Sequence, residues 1–209
     1  MISKEKVYNL QDYDNPLYWK FISSPVDYVI KDLDLALKTI VDELKWKKII
    51  QKPTGNIYYE PNIIKFLDVG CGIGNILLIA KTLFTAKYQL PMNSNKRIYF
   101  YTDGIEHDGR LGILARDAKA GGIEIMDALQ FKDYSKYDII HYYRPIKETK
   151  LMTELENKIE TEAKKGAIII ARYKTDNSIR ANKSFKLINY DEKKEYFGCS
   201  DANIFIKTK

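Results

Sequence analysis

Cysteine and histidine are scarce in this 209-residue chain, with only Cys71, Cys199, His107 and His141 present. That scarcity excludes a disulfide framework and a four-ligand Cys/His zinc site, so no metal is expected. No apolar run approaches the ~18 residues a membrane span requires. The N-terminus, Met1-Ile2-Ser3-Lys4-Glu5-Lys6, is charged and lacks the apolar core of a signal peptide. A cytoplasmic protein without a membrane partner is the expectation. Internal repeats and low-complexity tracts are missing too, and no basic block is longer than Lys45-Trp46-Lys47-Lys48. The net charge of +6 is therefore scattered lysine. Such a distribution reads as solvated surface before it reads as a nucleic-acid footprint.

Hydrophobic residues make up 45% of the chain and charged residues 30%, which fits one soluble domain of ordinary size plus an extension. We place the boundary near residue 60, with a helical extension over 1–60 and the core over 61–209. Within the extension, Tyr13, Asn15-Pro16, Tyr18 and Trp19 form an aromatic arm that either packs on the domain or covers a substrate. Ser24-Pro25 then offers a helix cap with proline in the first turn. Val26, Val29, Ile30, Leu33, Leu37, Ile40, Val41 and Leu44 follow at helical steps, predicting a core-facing helix to about residue 50. Gln51 to Asn56 breaks it, and Tyr58-Tyr59-Glu60-Pro61 leads into the first strand.

That strand ends in Phe66-Leu67-Asp68-Val69-Gly70-Cys71-Gly72-Ile73-Gly74-Asn75, and Ile76-Leu77-Leu78-Ile79-Ala80 continues at helical spacing. Strand, tight turn and helix are the natural reading. Glycines let the backbone turn and approach a ligand closely, and a helix start offers unpaired N–H groups. The spacing is G-x-G-x-G. A dinucleotide fingerprint would require glycine at position 75, where Asn stands.

The block hydrophobic-Asp-hydrophobic-Gly-x-Gly-x-Gly resembles the first motif of the class I S-adenosylmethionine (SAM) methyltransferases. The resemblance implies that Asp68 lies near the methionine end of the cofactor, with Gly70, Cys71, Gly72, Gly74 and Asn75 along it. It covers about residues 60–209 and leaves the first 60 unassigned. It also implies a seven-stranded, mostly parallel Rossmann-like sheet with helices on both faces and an antiparallel hairpin at the C-terminal end.

Downstream segments fit that order. A helix of roughly 75–88 and a Pro91 to Asn95 loop precede a strand from Arg97 toward Gly104-Ile105-Glu106. A carboxylate at that strand's end can accept from both hydroxyls of a ribose. The resemblance gives this role to Glu106, with Asp103 as the rival if the strand ends early. A helix from about 108 stops at Gly121-Gly122, and Ile123-Glu124-Ile125-Met126 leads to Asp127-Ala128-Leu129. In the family an acid and the next backbone N–H at this point meet adenine, which implies Asp127 and Ala128; the plainer reading of Asp127 is an N-cap.

Tyr137 to His141 reads as a fourth strand running into Tyr142-Tyr143-Arg144-Pro145. Strand ends in open α/β sheets face the ligand crevice, so this loop is the expected substrate contact. His141 and Tyr143 are the candidate catalytic residues, and Tyr142, Tyr143 and Arg144 the candidate acceptor contacts. Methyltransferases acting on exocyclic amines or a glutamine amide carry Asn or Asp followed by Pro-Pro-Tyr here. This chain departs from that pattern, which leaves the acceptor open among small molecules, nucleic acid and protein.

A charged helix over 147–165, an apolar strand over 166–171, a polar loop over 172–184 and a terminal hairpin (185–190 and 203–206) complete the pattern. The expected function is SAM-dependent methyl transfer to an unidentified acceptor. A non-catalytic SAM-binding domain and, less favoured by the terminal hairpin, a nicotinamide oxidoreductase are the alternatives.

Overall fold

The computed structural model describes residues 26–51, 56–92, 94–172, 179, 182–188 and 202–209. The aromatic arm, Cys199, most of the 172–184 stretch and the segment joining the terminal strands lie outside the described residues.

The first helix, α1, spans Val26–Asp42 and buries Val29, Leu33, Ala36 and Leu37. It stops well short of the expected end near residue 50. The strands that follow, β1 (Lys48–Gln51) and β2 (Asn56–Tyr59), are rich in β-branched and aromatic residues and pair as an antiparallel hairpin. Residues such as Ile49, Ile57 and Tyr59 favour strands, which is why the helical stripe does not carry through. Trp46 meets Tyr59 edge to face at 6.1 Å, and Lys96 Nζ lies 5.1 Å from both rings. This cation–π contact fastens the hairpin to the loop before the second core strand.

The core follows in the expected sequence: β3 (Asn62–Val69), α2 (Asn75–Lys87), β4 (Ile98–Glu106), α3 (Gly109–Asp117), β5 (Gly122–Ile125), β6 (Ile139–Tyr143), α4 (Thr149–Glu162), β7 (Ile168–Arg172), β8 (Phe185–Leu187) and β9 (Ala202–Lys207). Seven of these strands form one sheet in the order β5-β4-β3-β6-β7-β9-β8. β5, β4, β3, β6 and β7 run parallel, while β9 is antiparallel to both β7 and β8. Between β5 and β6 the chain makes two short 3₁₀ turns, Ala128–Gln130 and Tyr134–Lys136.

Both faces of the sheet are covered. On one, Leu33 and Leu37 of α1 and Ile76, Leu77 and Ala80 of α2 share a buried cluster with Phe66, Ile139, Ile168, Ile170 and Ile204. On the other, Met152, Leu155 and Ile159 of α4 and Tyr134 share one with Leu67, Ile140, Ile169 and Phe205. A strand buried on both faces reads as a continuous apolar run, as Ile168-Ile169-Ile170-Ala171 does. Among the described residues no helix is long and apolar enough to cross a membrane.

Candidate functional site

The order of strands reverses beside β3: the chain passes from β3 to β4 and β5 on one side, and from β6 to β7 on the other. Connections leaving in opposite directions open a crevice at the carboxyl ends of the two central strands, where open α/β sheets take ligands. The candidate residues lie along that edge.

The glycine turn has left-handed backbone at Gly70 (φ 76°), Gly72 (φ 54°) and Gly74 (φ 84°). Side chains rarely adopt such angles, so the motif is a conformational requirement as well as a clearing for a ligand. The N–H groups of Gly70 and Cys71 donate to the Ile105 carbonyl at 2.8 and 3.0 Å, tying the turn to the end of β4. A methyl group added at Gly70 would stand 2.5 Å from the Pro145 Cβ. The loop after β6 therefore rests directly on the turn. Cys71 is buried, and a Cβ at Gly104 would come within 2.6 Å of its sulfur. Burial, followed by the charges of Asp68 and Glu106, pushes its thiol well above the ordinary range. Cys71 is thus a packing residue beneath the turn, with no reactive thiolate.

Glu106 ends β4 and reaches back to the turn. Its Oε2 accepts from the Gly72 N–H at 2.8 Å and its Oε1 from the Asp108 N–H at 2.9 Å. Burial raises its carboxyl pKa, and the backbone donors oppose that rise. Asp103 sits three residues inside the strand and accepts from the Tyr137 hydroxyl at 3.0 Å. The strand does not end early, so Glu106 is the acid at its tip. One strand further out, Asp127 Oδ1 accepts from the Leu129 N–H at 2.9 Å and caps the first 3₁₀ turn. Ala128 is buried, and its carbonyl accepts from the Tyr134 hydroxyl at 2.9 Å. The Met126 N–H donates to the Glu106 carbonyl at 2.9 Å, holding the two acidic strand ends side by side.

The strand end at β6 divides its candidates. His141 is 1% exposed and lies on the face covered by α1 and α2, stacked with Phe66 at 6.5 Å between centroids. Register places it beside Asp68, and its Nδ1 and Asp68 Oδ1 share a hydrogen bond at 2.7 Å. Tyr142 points the other way into the α4 core. Tyr143 and Arg144 are half-buried at the strand tip. Arg144 has φ 38°, an uncommon angle for a side-chain-bearing residue and a sign of a constrained loop. The open end of β6 is thus Tyr143 and Arg144, whereas His141 and Tyr142 are enclosed. His141 is thus enclosed beside Asp68, away from the strand tip where Tyr143 stands.

One pair lies outside these expectations. Arg172, the last residue of β7, forms an ion pair with Asp32 of α1, both nearly buried. Burial raises the Asp32 carboxyl pKa, against the pull of the charges of Arg172 and His141. A signal existed in the sequence. Asp32 interrupts the apolar stripe one turn after Val29, on the face that Leu33 and Leu37 also use.

No family model matches the chain, and no curated protein matches it in sequence. Solved structures do match in fold. A protein described as a class I SAM-dependent methyltransferase from Listeria monocytogenes is 12% identical, with a TM-score of 0.56 over 89% of this chain and 61% of that one. The magnesium protoporphyrin IX methyltransferase of Synechocystis PCC 6803, solved with bound SAM, is 14% identical, with a TM-score of 0.51 over the full length of both. A sugar N-methyltransferase from Streptoalloteichus sp. is 15% identical, with a TM-score of 0.39 over 51% of this chain and 39% of that chain. The chain thus spans about two-fifths and three-fifths of the Streptoalloteichus and Listeria proteins. What the chain shares with the two more similar structures is the fold of the class I SAM-dependent methyltransferases.

Proposed function

We propose that the chain is a SAM-dependent methyltransferase whose cofactor lies across the carboxyl ends of β5, β4, β3 and β6. The observation that carries this reading is the junction of the glycine turn with Glu106, one carboxylate held by the Gly72 and Asp108 N–H groups at the tip of β4. A carboxylate fixed there suits paired ribose hydroxyls, since each oxygen keeps further acceptor capacity. The glycine backbone suits close approach by an extended ligand. Asp68 Oδ2 is buried without a partner among the described residues, and it suits an ammonium group such as that of a methionine moiety.

In this reading Gly70, Cys71, Gly72, Gly74 and Asn75 line the cofactor through backbone, and Asp127 and Ala128 border its base. Tyr143 and Arg144 meet the acceptor. SAM supplies an electrophilic methyl group. The protein's task is to hold an acceptor atom in line with it at ~3 Å, where proximity and orientation contribute much of the rate. An exposed dyad is not needed, which fits the enclosure of His141. The terminal antiparallel strands weigh against a nicotinamide enzyme.

Methyl-tritiated SAM, incubated with small-molecule, RNA and peptide acceptors, tests the reading. Transfer to one class, lost in Tyr143→Ala while SAM still binds, is expected. Binding without transfer to any class would favour a non-catalytic SAM-binding domain.

A further inference from the structure

Three ionisable side chains, Asp68, His141 and Arg172, lie on the sheet face beneath α1, and Asp32 of α1 meets Arg172 there; their exposures are 2%, 1%, 5% and 9%. Successive residues of a strand alternate faces, and neighbouring strands align residue by residue. Asp68 stands beside His141, His141 beside Ile170, and Arg172 two positions beyond Ile170. All therefore occupy one side of β3, β6 and β7. His141 Nδ1 holds Asp68 Oδ1, and Arg172 Nη2 holds Asp32 Oδ2. The His141 charge also bears on Asp32, which brings the two pairs within electrostatic reach.

Each pair leaves something unmet. Asp68 Oδ2, His141 Nε2 and Arg172 Nε are buried without partners among the described residues. Arg172 Nε is a donor. Buried charges are costly to leave unbalanced, so removing one member of a pair forces the survivor toward another partner. Among the described strand residues of this face, Asp68 on β3 is the carboxylate nearest to Arg172 in strand order.

We propose that Asp32, Arg172 and His141 are positioning residues that keep Asp68 available to the cofactor, making α1 a working part of the binding site. Asp32 neutralises Arg172. His141 takes one oxygen of Asp68 and leaves the other for the ligand. Without Asp32, the guanidinium turns to Asp68 and competes with the ligand's ammonium for it. This inference rests on the cofactor reading above.

Calorimetric titration with SAM tests it in four proteins: wild type, Asp32→Asn, the double variant Asp32→Asn/Arg172→Met, and Leu37→Ala. The last loosens α1 without touching a charge. SAM binding should weaken at least tenfold in Asp32→Asn, return to within threefold of wild type in the double variant, and stay within threefold in folded Leu37→Ala. A purely structural pair would lower the melting temperature of Asp32→Asn with unchanged affinity, or leave the double variant as weak as the single; either result overturns the proposal. If Asp32→Asn does not fold, the Arg172 Nε–H resonance of ¹⁵N-labelled wild type decides. It should shift on saturation with SAM, and a stationary resonance overturns the relay. Wild type that binds neither SAM nor its demethylated product defeats the cofactor reading and the relay together, whereas normal wild-type binding unchanged by Asp32→Asn defeats the relay alone.

Discussion

Replacing Gly70 by alanine measures how the loop after β6 is seated on the glycine turn. Two costs arise. A left-handed backbone (φ 76°) disfavours a Cβ by ~1–2 kcal/mol. The new methyl would also stand 2.5 Å from Pro145 Cβ, and overpacking of this kind typically costs ~1–3 kcal/mol. Gly166 supplies the internal reference. It has φ 84°, but a Cβ added there would meet nothing within 4 Å, so Gly166→Ala carries the backbone cost alone. The unfolded-state gain from replacing glycine, ~0.4–1 kcal/mol, is common to both and cancels in the difference. Gly70→Ala should therefore be less stable than Gly166→Ala by ~1–3 kcal/mol in urea unfolding followed by circular dichroism. At ~2–4 °C per kcal/mol for a chain this size, the melting temperatures should separate by several degrees. Adding Pro145→Gly to Gly70→Ala should recover most of the difference, because the clashing carbon is gone. Equal destabilisation at the two glycines, within the ~0.3–0.5 kcal/mol expected of independent sites, would show that Pro145 does not sit on the turn.

Other consequences are open to direct measurement. Glu106→Gln should weaken SAM binding at least tenfold, read by calorimetry. Because burial raises the folded-state pKa of Glu106, its contribution to stability is greatest below the ordinary carboxyl range and is lost as pH rises through the raised value, so the variant's unfolding should depend less steeply on pH in that window. Burial first, and for Tyr137 the Asp103 charge next, raises the phenol pKa values of Tyr134 and Tyr137. Their contribution is present below ~10 and lost as pH climbs above it, and Tyr134→Phe or Tyr137→Phe should flatten that alkaline fall; an unchanged slope would mean the hydroxyls are not buried as described. Cys71 should resist iodoacetamide in the native protein and be alkylated only in denaturant, as peptide mass spectrometry would reveal; rapid native labelling would contradict its packing under Gly104.

Local signals carried much of the architecture. The stripe on α1, the glycine turn and the doubly buried β7 follow from spacing and composition, and their positions in the structure differ by a few residues at most, apart from the C-terminal end of α1. The β1–β2 hairpin was not legible as such, because Leu44 continued the helical stripe up to residues whose β-branching only matters once a partner strand is supplied. The choice between Asp103 and Glu106 turned on where β4 ends, and strand ends are set by pairing with β5. Burial of His141 was likewise hidden. A histidine at a strand tip reads as accessible until the register sets it beside Asp68 under α1. Asp32 was visible as an acid in an apolar stripe, but its partner at residue 172 is distant in sequence and could be found only from the fold.

Calorimetric titration of the wild-type protein with SAM, S-adenosylhomocysteine and NADH tests the central claim most directly. Micromolar binding of the first two, and none of NADH, is the predicted result. Binding of NADH with no heat from either sulfur nucleoside would contradict it.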